Sequence, residues 1–164
     1  MTSKRKSGSV KSESLPQRME RLTGGSAKRN ARKAQDLVYD SWEAADSDEE
    51  FELLAQAVEL DPRNADAWLG LLRFEPLDGQ EEIAFLRCLI AMGEKNLGKK
   101  MFREGKGVFW GMLETRPYMR ARARLAFRLM ESGRLEESAA EHEGMLELNP
   151  NDNQGLRYGL DRKS

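Results

Sequence analysis

Two proline-ended segments constrain this chain more than any other feature. QAVELDPRN (56–64) and GMLELNPND (144–152) share one pattern, in which an amphipathic helix runs into Leu-(Asp/Asn)-Pro, a polar pair follows and another helix begins. Together with the small residues spaced before the prolines, the pattern sets a repeat of 34 residues. A repeat of this length encodes a helix–turn–helix unit that cannot bury its apolar face alone, so neighbouring units must stack into a continuous core. The expected fold class is therefore all-α, an α-solenoid of about three helix-turn-helix repeats.

The period divides the chain into repeats at 31–64, 65–98 and 119–152, an insertion at 99–118, a basic tail at 1–30 and a terminal tail at 161–164. In the first repeat Ala34, Leu37, Val38, Tyr39 and Trp42 recur at helical spacing. Its second helix opens on Ser47-Asp48-Glu49-Glu50, which reads as a capping box between Ser47 and Glu50, and carries Phe51, Leu54, Ala57, Val58 and Leu60 inward. In the second repeat Pro76 shortens the first helix, and carrying the register forward by 34 residues places Ala84, Cys88 and Ala91 on the inner face of the second. Cys88 is then a small core hydrophobe. The third repeat holds Leu125, Ala126 and Leu129, a turn at Gly133, and then Leu135, Ser138, His142 and Met145. Residues 153–160 (NQGLRYGL) begin one further helix that serves as a polar cap. Residues 1–30 are too poor in large apolar side chains to offset chain entropy and are expected to be disordered, apart from a weakly held helix around Leu15–Leu22.

Three stretches carry a family resemblance: KAQDLVYDSWEA (33–44), VFWGMLETRPYMRARARLA (108–126) and LELNPNDNQGLRYGL (146–160). With Trp68 and Leu71 three apart, the chain resembles tetratricopeptide repeat proteins, and in particular microbial members grouped with the suppressor-of-tumorigenicity-7 family. The resemblance implies a tetratricopeptide-like helical fold and a protein-binding role. It implies no catalytic residue and no cofactor.

The residues themselves also argue against chemistry. Gly93-Glu94-Lys95-Asn96-Leu97-Gly98-Lys99-Lys100 nearly spells a phosphate-binding loop, but Lys100 replaces the Ser/Thr needed for Mg²⁺ and the stretch follows a helix instead of a strand. It reads as a helix terminus with a glycine stop. There is one Cys and one His, 54 residues apart, which cannot make a zinc site or a nucleophile–base pair. His142 occupies a packed slot of its helix. The acidic pairs Glu49/Glu50, Glu81/Glu82 and Glu136/Glu137 fall at the starts of second helices, where they complement the positive end of the helix dipole. No enzyme activity, metal or cofactor is expected.

What remains points to binding. Arg116, Arg120, Arg124 and Arg128 step by four along one helix, as a solvated face or as the lining of a concave groove. Matching places in the earlier repeats hold Gln35, Tyr39 and Gly70, so an intact clamp for a terminal carboxylate is absent, and a looser preference for an acidic peptide is what survives. The aromatics Phe102, Phe109, Trp110 and Tyr118 of the insertion pack it down or form a recognition patch. The predicted partner contacts are Trp42, Arg73, Arg120, Arg124 and Phe127, and the predicted role is a protein–protein interaction scaffold. Charge supplies the alternative. Residues 1–33 hold ten Lys/Arg against two Glu, while residues 34–164 carry a net −9. The basic tail invites nucleic acid, though no aromatic before Tyr39 is interleaved to stack bases. With no apolar run of membrane-spanning length, cytoplasmic residence is the default and no membrane partner is expected.

Overall fold

A computed structural model describes residues 13–24 and 30–156. The described residues are all-α, with seven helices and no strand: α1 (Leu15–Gly24), α2 (Ala31–Trp42), α3 (Ser47–Leu60), α4 (Ala65–Leu71), α5 (Gly79–Glu104), α6 (Arg116–Glu131) and α7 (Leu135–Leu148). Short polar side chains start most of them. Asn30 Oδ1 accepts from the Lys33 amide, Asn64 Oδ1 from that of Ala67, and Asp78 Oδ1 from those of Gln80 and Glu81, each satisfying orphan donors of a first turn. The cap of α3 lies one residue before the expected one. Asp46 Oδ1 takes the amides of Asp48 and Glu49, and Glu49 reaches back to the Ala45 amide at 2.8 Å. Ser47 and Glu50 therefore form no capping box: Asp46 is the cap, and Glu49 takes the amide of the residue before it.

α2 packs mainly on α3, and α6 on both α5 and α7. α4 contacts α2 on one side and α6 on the other, so α2, α4 and α6 form a row with α4 in the middle. The core runs along this arrangement through Val38, Leu54, Trp68, Leu71, Ile83, Leu86, Met119, Leu129 and Met145. The Leu-Asp-Pro turn is locked to that core: the buried Trp68 indole donates to the Pro62 carbonyl at 2.9 Å, and the Asp61 carboxylate accepts from the Arg63 amide.

Several expectations fail in informative places. Cys88 is exposed, as are Ala84 and Ala91; the buried face of α5 is Ile83, Phe85, Leu86, Leu89 and Ile90. The reason is spacing. α3 begins 16 residues after α2 begins, but α5 begins only 14 after α4, because α4 stops at Leu71 ahead of Pro76. Two missing residues turn a helix by about 200° and carry the apolar set to the opposite side of the register.

α5 also runs through the start of the expected insertion. It breaks at Gly98, whose φ of 73° suits glycine, and then continues to Glu104. Of the two glycines in the 93–100 segment, Gly98 is the one that interrupts the helix, while Gly93 sits inside α5, where a Cβ would meet the Tyr118 ring at 3.0 Å. The rest of the insertion is two 3₁₀ turns, Phe109–Gly111 and Leu113–Thr115, and the third unit starts at Arg116 instead of 119. Phe109 and Tyr118 are buried and stack with Phe102, which settles packing as the role of these three aromatics.

Within the tail expected to be disordered, residues 15–24 are the helix α1, with Leu15 and Leu22 buried and Arg18 paired to Glu75 at 3.3 Å. Residues 1–12 and 25–29 lie outside the described residues. At the other end, residues 153–156 form turns with Gly155 at φ 70° instead of starting a helix, and residues 157–164, including the terminal tail at 161–164, again lie outside the description. Among the described residues no helix is long and apolar enough to cross a membrane.

Candidate functional site

The row of α2, α4 and α6 is tied together by one polar chain. Asp66, near the start of α4, is buried, its side chain only 3% exposed. Its Oδ2 accepts from Arg120 Nη1 of α6 at 2.5 Å and from Gln35 Nε2 of α2 at 3.2 Å. Gln35 in turn accepts from Asn64 Nδ2 at 3.0 Å. Burial still dominates the carboxyl and holds its pKa above the ordinary 3.8, with the Arg120 charge and the two hydrogen bonds pulling the other way.

Aromatic rings flank the held arginine. The Arg120 guanidinium lies 5.3 Å from the Trp42 ring centroid and 5.5 Å from that of Trp110, both within cation–π range. Tyr39 meets Trp42 edge-on at 5.0 Å. Arg116 lies 5.6 Å from the other ring, Trp110, and its Nε donates to the Trp110 carbonyl at 2.9 Å. The 3₁₀ turn carrying Trp110 is fixed by Thr115, whose hydroxyl bonds the carbonyls of Phe109 and Met112. Trp42 is 57% exposed, so a large apolar ring remains open to solvent beside the ordered Arg120 guanidinium.

The remaining predicted contacts distribute differently. Arg124 belongs to a second buried-acid pair: its Nε donates to Glu82 Oε1 at 2.7 Å, and Arg128 Nε approaches Glu82 Oε2 at 2.7 Å, with the Glu82 side chain 3% exposed. Phe127 is exposed, seven residues after Arg120 and so close to the same line along α6. Arg73 stands apart. It pairs with Glu50 at 2.6 Å and lies over Phe74, and it joins none of the other four. The structure therefore brings Trp42 and Arg120 together, keeps Arg124 and Phe127 on the same helix, and removes Arg73. Sequence reasoning missed Asp66 altogether and placed Trp110 and Arg116 without seeing their link to Trp42. No local signal marks Asp66, whose role depends on contacts 31 and 54 residues away.

The acidic pairs do more than complement helix dipoles. Glu50, Glu82 and Glu137 each reach an arginine of another segment: Arg73, Arg124 and Arg87. His142 is buried with Nδ1 2.7 Å from the Ser138 carbonyl, a contact that requires the proton on Nδ1. Among the described residues no group of three His, Cys, Asp or Glu side chains could hold a metal ion. A cleft of about 520 Å³ lies elsewhere, lined by Arg18 of α1 and by Phe51, Ala55, Gln56, Glu59 and Leu60 of α3.

No protein-family model, no curated protein and no solved structure matches this chain, so its site is read from its own chemistry.

Proposed function

We propose that this chain is a non-enzymatic interaction module, a tetratricopeptide-like array whose α2–α4–α6 face holds a segment of a partner protein. One observation carries the reading: an exposed Trp42 and a half-buried Trp110 flank an arginine that a buried carboxylate holds in place. Large aromatics ordinarily go inside. Left in water beside a pre-ordered guanidinium, they make a patch that loses little side-chain entropy on binding and has the composition of interface anchors. The row of α2, α4 and α6, with the Leu-Asp-Pro turn bonded to Trp68, supports the repeat-array part of the proposal. The resemblance to the suppressor-of-tumorigenicity-7 group belongs to the same proposal and rests on the residue pattern around Trp110 and Arg116.

Capture from the native cell with the full chain and with a Trp42→Ala/Trp110→Ala variant tests it. Partners retained by the wild type and lost by the variant are expected; equal recovery by both baits refutes the assignment of the face. Arg120→Glu is a poor probe, because it sets a second carboxylate against buried Asp66 and perturbs the fold before it reports on binding. The nucleic-acid alternative has weaker support. Two of the tail's cations, Arg18 and Arg21, turn toward Glu75 and Glu59 of the body and are drawn away from phosphate.

A further inference from the structure

We infer that the α6 face selects an extended acidic segment in which two carboxylates four residues apart flank an apolar side chain. The inference rests on the interaction-module reading and narrows its partner. It begins from a charge imbalance. Of the five arginines of α6, Arg122 pairs with Glu141, and Arg120, Arg124 and Arg128 meet two buried acids, Asp66 and Glu82. Surface Glu131 adds a further carboxylate at the far end, on Arg128. Arg116 has no ion pair among the described residues: its Nε is spent on the Trp110 carbonyl, and the rest of its guanidinium is left over the indole. Arg124, its side chain 41% exposed, shares one carboxylate with Arg128. The stretch from Arg116 to Arg124 thus keeps surplus positive charge, while residues 34–164 as a whole carry a net −9. Such a strip attracts an acidic partner and repels a basic one.

Spacing gives the rest. Residues four apart on a helix are about 6 Å apart along its axis, so Arg116, Arg120 and Arg124 are three stations spread over about 12 Å. In an extended chain every second side chain points the same way, and a two-residue step covers about 6.6 Å. Side chains i, i+2 and i+4 of an extended segment therefore fall on the three stations in turn. The outer two offer Arg116, without an ion pair among the described residues, and Arg124, whose side chain is 41% exposed and shares Glu82 with Arg128. The middle station offers Arg120 already neutralised by Asp66 and bordered by Trp42 and Trp110, so it suits an apolar side chain and not a third acid.

The test uses the full chain and a synthetic peptide, Ser-Glu-Ser-Leu-Ser-Glu-Ser, titrated at low salt and followed by tryptophan fluorescence. Control peptides replace both Glu by Lys, or set the two Glu eight residues apart in a helix-forming sequence. Saturable binding of the first peptide is expected, weakened about tenfold by Arg116→Gln or by Trp42→Ala, weakened further by added salt, and absent for the lysine peptide. Trp42 is exposed and Arg116 half-buried, and circular dichroism checks that the variants stay folded. No saturable binding to the wild type overturns the inference. So does equal binding of the lysine peptide, stronger binding of the helical peptide, or an affinity indifferent to Arg116→Gln. The cellular capture with Trp42→Ala/Trp110→Ala is read separately. Partners lost there while the acidic peptide fails to bind discard the acidic pattern and leave the interaction module standing.

Discussion

Replacing Arg120 by Met removes the cation that pairs with buried Asp66 while keeping a side chain of similar reach beside Trp42 and Trp110. The Asp66 side chain is 3% exposed and sits 2.5 Å from Arg120 Nη1. Stripping the partner from a buried carboxylate costs about 3–5 kcal/mol in other proteins. Here the lower end applies, about 3 kcal/mol, because Gln35 still donates to Asp66. In urea, with a slope of about 2 kcal/mol/M for a domain of this size, that is a midpoint lowered by about 1.5 M. The sign of the pH dependence follows from the raised pKa. A folded state that holds its proton to higher pH than the unfolded chain is favoured fully below the ordinary 3.8 and loses that advantage as pH rises through the folded value. Losing Arg120 raises the folded value further, so the defect shrinks as pH falls toward 4 and is largest at neutral pH. Asp66→Asn alone costs less, about 1 kcal/mol, and the double variant is more stable than Arg120→Met because no charge is left stranded. If Arg120→Met loses as much at pH 4.5 as at pH 7, or the double variant is the worst of the three, then Asp66 is not the buried anion that organises this face.

Other consequences can be measured directly. The folded chain reacts with a thiol reagent at Cys88 without denaturant, since that thiol is exposed; a protected thiol would restore the original repeat register. Burial pushes the Tyr118 phenol up to about 12, so a spectrophotometric titration shows one of three tyrosines lagging, and Tyr118→Phe removes that step. Between the ordinary value of 10 and about 12 the unfolded chain loses the phenolic proton first, so this group's contribution to stability falls as pH rises across the window. Gly105→Ala destabilises by about 1–3 kcal/mol in thermal or urea unfolding, because the new Cβ lies 2.9 Å from the Met101 carbonyl oxygen, a backbone atom that cannot step aside. Trp68→Phe costs about 1–3 kcal/mol by the same measurement, leaving the Pro62 carbonyl without its indole donor.

Local rules were readable wherever the chain decides locally. The apolar spacing of α2 and α3, the acidic first turns and the Leu-Asp-Pro stop all follow from interactions within a few residues, and α3 was misplaced only at its cap. The exposed Trp42 and the stepped arginines were also visible, because a Trp and an Arg on a helix carry their chemistry whatever surrounds them. Pairings were not. Glu82 read as a dipole complement and proved to be a buried anchor for Arg124 and Arg128, 42 and 46 positions on. Nothing in the neighbourhood of a glutamate announces which arginine will arrive over it.

The second repeat shows how one local event spreads. Extending a 34-residue register across Pro76 assumed that a shortened helix leaves the next one in phase. It does not: α4 spans seven residues, α5 opens two residues early, and a rotation of about 200° moves Cys88 from core to surface. The corrective signal was present in α5 itself. Ile83, Leu86, Leu89 and Ile90 form a stronger helical stripe than Ala84, Cys88 and Ala91, and burying the larger set removes more apolar area from water. The same four residues correspond to Phe51, Leu54, Ala57 and Val58 of α3 at an offset of 32 instead of 34. Where a repeat carries a helix breaker, the apolar stripe of the following helix decides the phase, because burial free energy acts on the folded helix and not on the count of residues between repeats.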